Sequence, residues 1–194
     1  KPDVIMGKAE LTKAAGRWIP GYELAEKNLY LLEDSAHLIG ETGLPEGVTM
    51  KKGVPGDEDK IHAFLMTIPE IRALYASKEM IADRLKSGDG THLYLERNGE
   101  MIAHVNSAAK SPFTVMLGGA AVKVTERGKN LESLLVSRIS RDILAEGKKP
   151  CLFCDRGEEH NLFVQIGFQK AGIWGTLTPK KPEEGKSRLP SYIP

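Results

Sequence analysis

The most regular hydrophobic pattern of the chain lies between residues 131 and 144. Gly147 follows where a left-handed helix cap would lie, so we expect a helix there to end near this glycine. The nearly all-apolar run from Pro150 to Asp155 predicts a strand that is buried on both faces. Steps of three and four residues predict one apolar stripe on a helix of about four turns, formed by Leu131, Leu134, Leu135, Ile139, Ile143 and Leu144.

The middle of the chain alternates between helical and extended patterns. Asp57 is an N-cap candidate before an amphipathic helix that Pro69 interrupts. Asn98 and Gly99 are typical of a two-residue β-hairpin turn. The remaining predicted elements are strands at 48–52, 91–97, 101–109 and 113–122 and a second helix at 78–85.

The two ends of the chain predict further elements. The N-terminal end predicts a strand at 3–7, a helix at 9–18 and a strand at 29–32, and whether that strand extends through 35–40 is left open. The C-terminal end predicts a helix at 158–166 and a strand at 168–177, followed by a polar, proline-rich tail. The glycine-rich segment 40–47 is the clearest domain boundary. We therefore expect an N-terminal segment at 1–43, a main domain at 44–178 and a tail at 179–194.

Composition excludes several classes of function. The chain has 194 residues, 27 basic and 26 acidic side chains and a formal net charge of +1, which argues against bulk binding to nucleic acid or a membrane surface. It has neither a run of 18 apolar residues nor a signal-peptide pattern, so we expect a cytoplasmic protein. The first residue is Lys1, which leaves open whether the chain is processed or truncated.

The two cysteines, Cys151 and Cys154, form a C-x-x-C pair inside the predicted buried strand. A three-residue step along a strand sends side chains to opposite faces, and the chain has no second cysteine pair. We therefore expect two buried apolar side chains, with no redox centre and no metal site.

The turn before the long helix has the features of an anion site. Residues 125–130 read Thr-Glu-Arg-Gly-Lys-Asn and include two cations, Arg127 and Lys129. A helix N-terminus adds free backbone N–H groups and the positive end of the helix dipole. This combination predicts that the turn accepts a phosphate or diphosphate.

Two spaced motifs resemble those of the GNAT superfamily of acyl-CoA-dependent N-acetyltransferases. The family has Arg-x-x-Gly-x-Gly/Ala at the start of its long helix, where this chain has Arg127-Gly128-Lys129-Asn130-Leu131-Glu132. The family also has Gly-Phe before its last strand, matched here by Gly167-Phe168. The resemblance covers residues 48–177. It implies an α/β (α+β) fold with a mixed, largely antiparallel sheet flanked by helices, to which residues 3–40 add a strand-helix-strand extension.

The resemblance implies acetyl-CoA as the acyl donor and an amine as the acceptor, in a monomer or homodimer. The diphosphate would rest on the turn, while the pantetheine arm would pair with the backbone of the preceding strand as an added strand does. The cofactor-binding residues that it implies are Ala120, Ala121, Val122, Arg127, Gly128, Lys129, Asn130, Leu131, Ser133, Asn161 and Phe163.

Three positions depart from the family pattern. Asn130 replaces a glycine, which is acceptable because asparagine visits positive φ readily. Glu132 would repel a phosphate if its carboxylate faces the turn, or would cap its own helix if it does not. Phe163 stands where the family commonly has a tyrosine that protonates the departing thiolate. These departures keep a second hypothesis open, a non-catalytic CoA-binding or protein-interaction module.

Two residues on the predicted hairpin are candidate catalytic bases. Glu96 and His104 lie in strands that would run beside the acyl end of the cofactor, and either could take the proton of the amine. The alternative is a solvated strand glutamate and a hydrogen-bonded sheet histidine. The N-terminal segment also has two interpretations: the closing half of a second GNAT-like domain, or an extension that packs over the acceptor pocket.

Overall fold

A computed structural model describes residues 2–40, 43–157 and 162–180 of the chain. The described residues form two compact units. Of these residues, one unit contains 2–28 together with 172–180, and the other contains those between Leu29 and Ala171. Strands β2 (Tyr22–Leu31) and β8 (Gln169–Pro179) each contribute residues to both units.

The first unit has the strand order β1-β8-β2, where β1 is Ile5–Lys8. Strand β1 runs antiparallel to β8, with Ile5 opposite Leu177. Helix α1 (Ala9–Gly16) packs so closely on β8 that a Cβ at Gly175 would clash with Thr12 Oγ1. This unit therefore requires a glycine at position 175.

The second unit contains most of the sheet. Its strands follow the order β2-β7-β6-β5-β4-β3, and the pairs β3/β4, β4/β5 and β5/β6 are antiparallel while β6/β7 is parallel. The mixed, mostly antiparallel fold class is thus confirmed. The strands are β3 (Val48–Lys52), β4 (His92–Arg97), β5 (Glu100–Lys110), β6 (Thr114–Val122) and β7 (Lys149–Asp155).

Helices cover both faces of this sheet. The helices are α2 (Glu58–Met66), α3 (Lys78–Ser87), α4 (Leu131–Ala145) and α5 (Leu162–Gln165), with 3-10 turns at Arg72–Tyr75 and Val124–Glu126.

The sheet side chains alternate between two hydrophobic cores, as the pleat requires. Leu93 and Leu95 of β4 belong to the core that includes Leu135 and Ile139 of α4. Tyr94, between them, belongs to the core that α2 and α3 form. The predicted apolar stripe of α4 is confirmed.

Several local predictions are confirmed. Asn98 and Gly99 have φ values of 52° and 79°, as a type I′ hairpin turn requires. Gly147 has a φ of 73°, as a left-handed helix cap requires. Cys151 and Cys154 are both buried, and no disulfide joins them.

Two element predictions require correction or fall partly outside the described residues. The extension of the second strand through 35–40 is wrong, because these residues form turns, and β2 instead begins at Tyr22. Its early residues are mostly exposed, so they lack the apolar alternation that indicates a strand. The closing helix covers Leu162–Gln165, and its predicted start at 158–161 lies outside the described residues.

No described helix has the length and apolar character needed to cross a membrane. In the ranges that the structure describes, His, Cys, Asp and Glu side chains form no group of three suited to a metal ion.

Candidate functional site

Strands β6 and β7 pair over only part of their length. Their parallel register covers Thr114 to Met116 of β6, opposite Lys149 to Cys151. The two strands are not paired beyond Met116, although β6 continues to Val122. The second half of β6 therefore has an unpaired backbone edge on the side that faces β7.

A β-bulge reshapes β6 along this edge. His104 lies opposite Ala121 and Asn106 lies opposite Gly118, so β6 has one residue more than β5 between these pairs. Gly119 has a φ of 57°, the left-handed conformation of a bulge that uses glycine. The Gly-Gly pair inside the strand is the sequence signal for it.

The turn after β6 leads into the N-terminus of α4. Gly128 and Asn130 have positive φ values of 81° and 57°. The N–H of Leu134 is 3.1 Å from the carbonyl of Asn130 and closes the first helical turn. The amides of residues 131–133 therefore have no acceptor within the helix, and no side chain caps them at Asn130.

A cavity of about 410 Å³ lies between this turn, the end of β6 and the loop after α2. Ala120, Ala121 and Val122 form its strand wall. The other lining residues are Ile68, Glu70, Ile71, Glu126, Arg127, Gly128, Asn130, Leu131, Glu132, Ser133 and Leu162. An unpaired strand edge and a helix N-terminus thus border one space.

Three cations around the cavity form ion pairs with carboxylates. Arg127 Nη2 is 3.0 Å from Glu70 Oε1, which joins the turn to the loop after α2. Glu126 accepts from Arg97 Nη1 at 2.7 Å and from Lys129 Nζ at 3.0 Å. Each of these cations already has a carboxylate partner.

Glu132 is a third carboxylate at the cavity, and it is half-buried. Burial raises the pKa of Glu132 to about 7, although the nearby Arg127 opposes the shift. Near neutral pH the side chain is therefore divided between its neutral and charged forms. When it is charged, it offsets the positive end of the helix dipole.

His104 is fully buried and hydrogen-bonded on both ring nitrogens. Its Nδ1 lies 2.9 Å from the carbonyl of Gly119, and its Nε2 lies 2.9 Å from Nδ1 of His92. A carbonyl accepts only, so His104 donates from Nδ1 and accepts at Nε2 from the Nδ1–H of His92. Burial lowers the pKa of His104 to about 4, and burial together with His104 and Arg84 lowers that of His92 to about 3.

Glu96 is also buried, and it is enclosed by ammonium groups. Lys51 and Lys60 both form ion pairs with its carboxylate. Neither Glu96 nor His104 is among the described residues that line the cavity.

Tyr75 reaches the bulge from the 3-10 turn after α2. Its hydroxyl donates to Asn106 Oδ1 at 2.8 Å, and both side chains are buried. A Cβ at Gly119 would lie 2.6 Å from the Tyr75 hydroxyl and 2.6 Å from Asn106 Oδ1. The glycine therefore allows these two side chains to lie against the strand.

Known structures similar to this chain share one fold. A GCN5-related N-acetyltransferase from Kribbella flavida aligns with a TM-score of 0.69 at 12% identity, over 92% of this chain and 68% of that chain. A predicted acetyltransferase from Clostridium acetobutylicum, with acetyl-CoA, aligns with a TM-score of 0.53 at 15% identity, over 63% of this chain and 90% of that chain. The chain has the GNAT fold.

A third similar structure is a tandem GNAT protein from the clavulanic acid biosynthesis pathway. It aligns with a TM-score of 0.59 at 14% identity, over 90% of this chain and 59% of that chain. No protein-family model and no curated protein matches the chain.

On this GNAT fold, eight of the eleven sequence-predicted cofactor residues line the cavity: Ala120, Ala121, Val122, Arg127, Gly128, Asn130, Leu131 and Ser133.

Three of the eleven are not among the lining residues. Lys129 forms an ion pair with Glu126, and the ring of Phe163 packs edge-on against Phe168. Asn161 lies outside the described residues. Sequence reasoning missed Glu70 and Tyr75, because no local pattern marks the segment between the two predicted helices.

Proposed function

We propose that the chain is an acyltransferase that moves an acetyl group from acetyl-CoA to an amine. The observation that carries the proposal is the free edge of β6 beside a cavity that ends at the N-terminus of α4. The pantetheine amides would pair with the backbone of residues 120–122 as an added strand. The diphosphate would accept from the amides at the start of α4 and from Arg127.

The reaction follows from this placement. The amine nitrogen attacks the thioester carbonyl carbon, a C–N bond forms, the C–S bond breaks, and the proton that the nitrogen loses is taken up, directly or through water, by the departing thiolate. A thiol pKa of about 8.5 makes that anion a tolerable leaving group without an acid at Phe163. The chain supplies orientation and charge stabilisation.

We assign His104 a positioning role in this proposal. Both of its nitrogens have partners and its pKa is far below neutral, so the geometry does not favour proton transfer from a bound amine. Its Nδ1–H instead holds the carbonyl of Gly119 at the bulge. Glu96 is disfavoured as a base because its carboxylate is buried and already forms ion pairs with Lys51 and Lys60, which leaves a bound amine little access to it.

Calorimetric titration of the full chain with CoA and acetyl-CoA tests the binding step. We expect both ligands to bind, and Arg127→Gln to weaken both by a factor on the order of 10, the loss of one charge-assisted contact. Arg138→Gln, on the exposed side of α4, is the matched control and should leave both affinities unchanged. Absence of binding to either ligand would overturn the proposal.

A second candidate is a CoA-binding or protein-interaction module without catalysis. Phe163 at the tyrosine position and the carboxylate of Glu132 at the cavity favour it. Release of free thiol from acetyl-CoA in the presence of a panel of amines separates the two. Binding without amine-dependent thiol release would support the module, and amine-dependent release would support the enzyme.

A further inference from the structure

The hydroxyl of Tyr75 occupies the space over a glycine pair of β6. A Cβ at Gly118 would be 3.2 Å from this hydroxyl oxygen, and a Cβ at Gly119 would be 2.6 Å from it. Tyr75 is 5% exposed, so its side chain is buried against these glycines. Any side chain at these two positions would displace the tyrosine.

The partner of Tyr75 has an unused hydrogen-bonding group. Asn106 is fully buried, and its Oδ1 accepts from Tyr75. Its Nδ2 has no acceptor among the described residues. Burial raises the pKa of the Tyr75 hydroxyl, which keeps it protonated as the donor to Asn106. The Asn106 amide is shielded from solvent, so Asn106 acts here through the hydrogen bond that holds the Tyr75 hydroxyl.

The position of this pair matters if CoA binds as proposed above, and the inference rests on that function. With the diphosphate at the start of α4, the pantetheine arm runs back along β6 from Val122 toward Gly118. Four residues of strand span ~13 Å. The acyl end of the ligand then arrives at the bulge, beside the Tyr75 hydroxyl.

We propose that Tyr75, held by Asn106 against the Gly118-Gly119 bulge, is a specificity-determining residue that limits the acyl group of the bound thioester to the size of acetyl. The ring and hydroxyl would form the end wall of the acyl site, at the bulge beyond the strand wall of Ala120 to Val122. A longer chain would meet this wall, and the buried position of Tyr75 leaves it little room to move.

Binding affinities for CoA, acetyl-CoA, propionyl-CoA and butyryl-CoA test this wall without knowledge of the acceptor. In the unmodified chain we expect butyryl-CoA to bind about 10-fold or more weakly than acetyl-CoA, since a methylene in a closed pocket is worth about that factor. Tyr75→Ala should remove most of the gap. Tyr75→Phe, which deletes only the hydroxyl, should improve propionyl-CoA first. CoA, which has no acyl group, should bind all variants alike.

Tyr94→Phe is the matched control. It removes another buried tyrosine hydroxyl, 3.2 Å from Asp57 Oδ2, that does not contact the glycine pair. We expect it to keep the original order of affinities. Thermal unfolding shows whether the Tyr75→Ala protein has kept its fold. If it has not, the affinities of the Tyr75→Phe protein for the acyl-CoA series test the proposal.

The outcomes separate the two proposals. If CoA itself does not bind, the proposed function fails and this inference fails with it. If CoA binds but the acetyl-to-butyryl gap is absent, or persists unchanged in both folded Tyr75 variants, only the role of Tyr75 is overturned.

Discussion

The Nδ1 of His92 lies 2.9 Å from the Nε2 of His104, so two buried imidazoles are joined by one hydrogen bond. Both have lowered pKa values, about 3 for His92 and about 4 for His104, mainly because burial disfavours the charged form. The pair is therefore neutral in the folded chain. The Nδ1–H of His104 donates to the carbonyl of Gly119 in either charge state, so protonation of His104 at Nε2 would break the bond between the two rings and not the bond to β6.

The histidine pair should make the fold sensitive to acid. The unfolded chain takes up protons below about pH 6.5, whereas the folded pair stays neutral down to pH 3 to 4. This contribution to stability is therefore fully present above pH 6.5 and is lost as pH falls toward 4, by about 3 kcal/mol for each histidine. Urea unfolding at pH 7.5, 6 and 4.5 measures it.

Replacing one histidine tests the assignment. His92→Phe removes one titrating group and should reduce the slope of unfolding free energy against pH, although it lowers stability at pH 7.5 by leaving His104 Nε2 without its donor. An unchanged slope would show that the acid sensitivity comes from other groups.

Glu132 should weaken CoA binding as pH rises. Its pKa of about 7 means that the carboxylate is mostly charged at pH 8 and mostly neutral at pH 6. We expect CoA to bind more tightly at pH 6 than at pH 8, and Glu132→Gln to raise the affinity at pH 8 by a factor on the order of 10. Calorimetry at the two pH values is the measurement.

The same substitution should also affect stability. A carboxyl group whose folded pKa is raised stabilises the fold below its unfolded pKa, and that contribution is lost as pH rises to about 7. Glu132→Gln should therefore be more stable than the parent at pH 8 and equal to it at pH 4. Glu146→Gln, an exposed glutamate just after α4, is the control.

For the affinity prediction, equal CoA affinity in parent and Glu132→Gln at pH 8 would show that the carboxylate does not face the phosphates.

The Arg127–Glu70 ion pair should compete with the ligand. Both side chains are largely exposed, at 46% and 57%, so breaking the pair should leave stability nearly unchanged. Glu70→Gln frees Arg127 for the diphosphate, and we expect CoA affinity to rise a few-fold, by about the worth of a surface ion pair. Titration of Glu70→Gln measures this.

A double substitution identifies the cause of that change. In an Arg127→Gln background, Glu70→Gln should no longer raise the affinity, because the cation that it frees is gone. Glu79→Gln, an exposed glutamate of α3, should have no effect in either background. An equal gain with and without Arg127 would mean that Glu70 acts only by long-range repulsion.

Gly119→Ala should be strongly destabilising. The alanine would have to adopt a φ of 57° and place its Cβ 2.6 Å from two polar atoms. We expect a loss of more than about 2 kcal/mol in unfolding free energy. Gly172→Ala, where a Cβ meets nothing within 4 Å and φ is not positive, serves as the control. Equal losses at both positions would contradict the bulge geometry.

The domain boundary at 43/44 stays a prediction, and the core offers a test of it. Tyr30, Leu32 and Leu38 are buried in the same core as α4. We expect the fragment 44–194 to fail to unfold cooperatively, and Leu32→Ala in the full chain to cost about 2 to 5 kcal/mol. A cooperative transition of the fragment, followed by circular dichroism, would show that residues 1–43 are dispensable.

The sequence was most informative where structure depends on near neighbours. The stripe of α4, the Asn98-Gly99 turn and the Gly147 cap each follow from residues within a turn or two, and all are confirmed. The turn beside the cavity was predicted from its cations and its place before the helix, and the strand wall was implied by the resemblance to the GNAT superfamily. Together they named eight of the residues that line the cavity.

The rest of the site depends on contacts between distant residues. Glu70 and Arg127 are 57 residues apart, and Tyr75 and Asn106 are 31 apart. No periodicity reports such a pairing, since it arises only when the loop after α2 is placed against β6. The hydrogen bonds of His104 could not be predicted for the same reason, because its partners are His92 on the neighbouring strand and the carbonyl of Gly119.

The bulge at Gly119 also affects strand addition at the open edge of β6. An open strand edge is a template on which another chain can add a strand and begin to aggregate. The left-handed glycine interrupts the even spacing of N–H and C=O groups along β6. A continuous strand from another molecule could pair with only a short part of this edge, whereas a small, flexible partner could follow it around the bulge. One left-handed residue therefore shortens the stretch of β6 on which a strand of another molecule could pair.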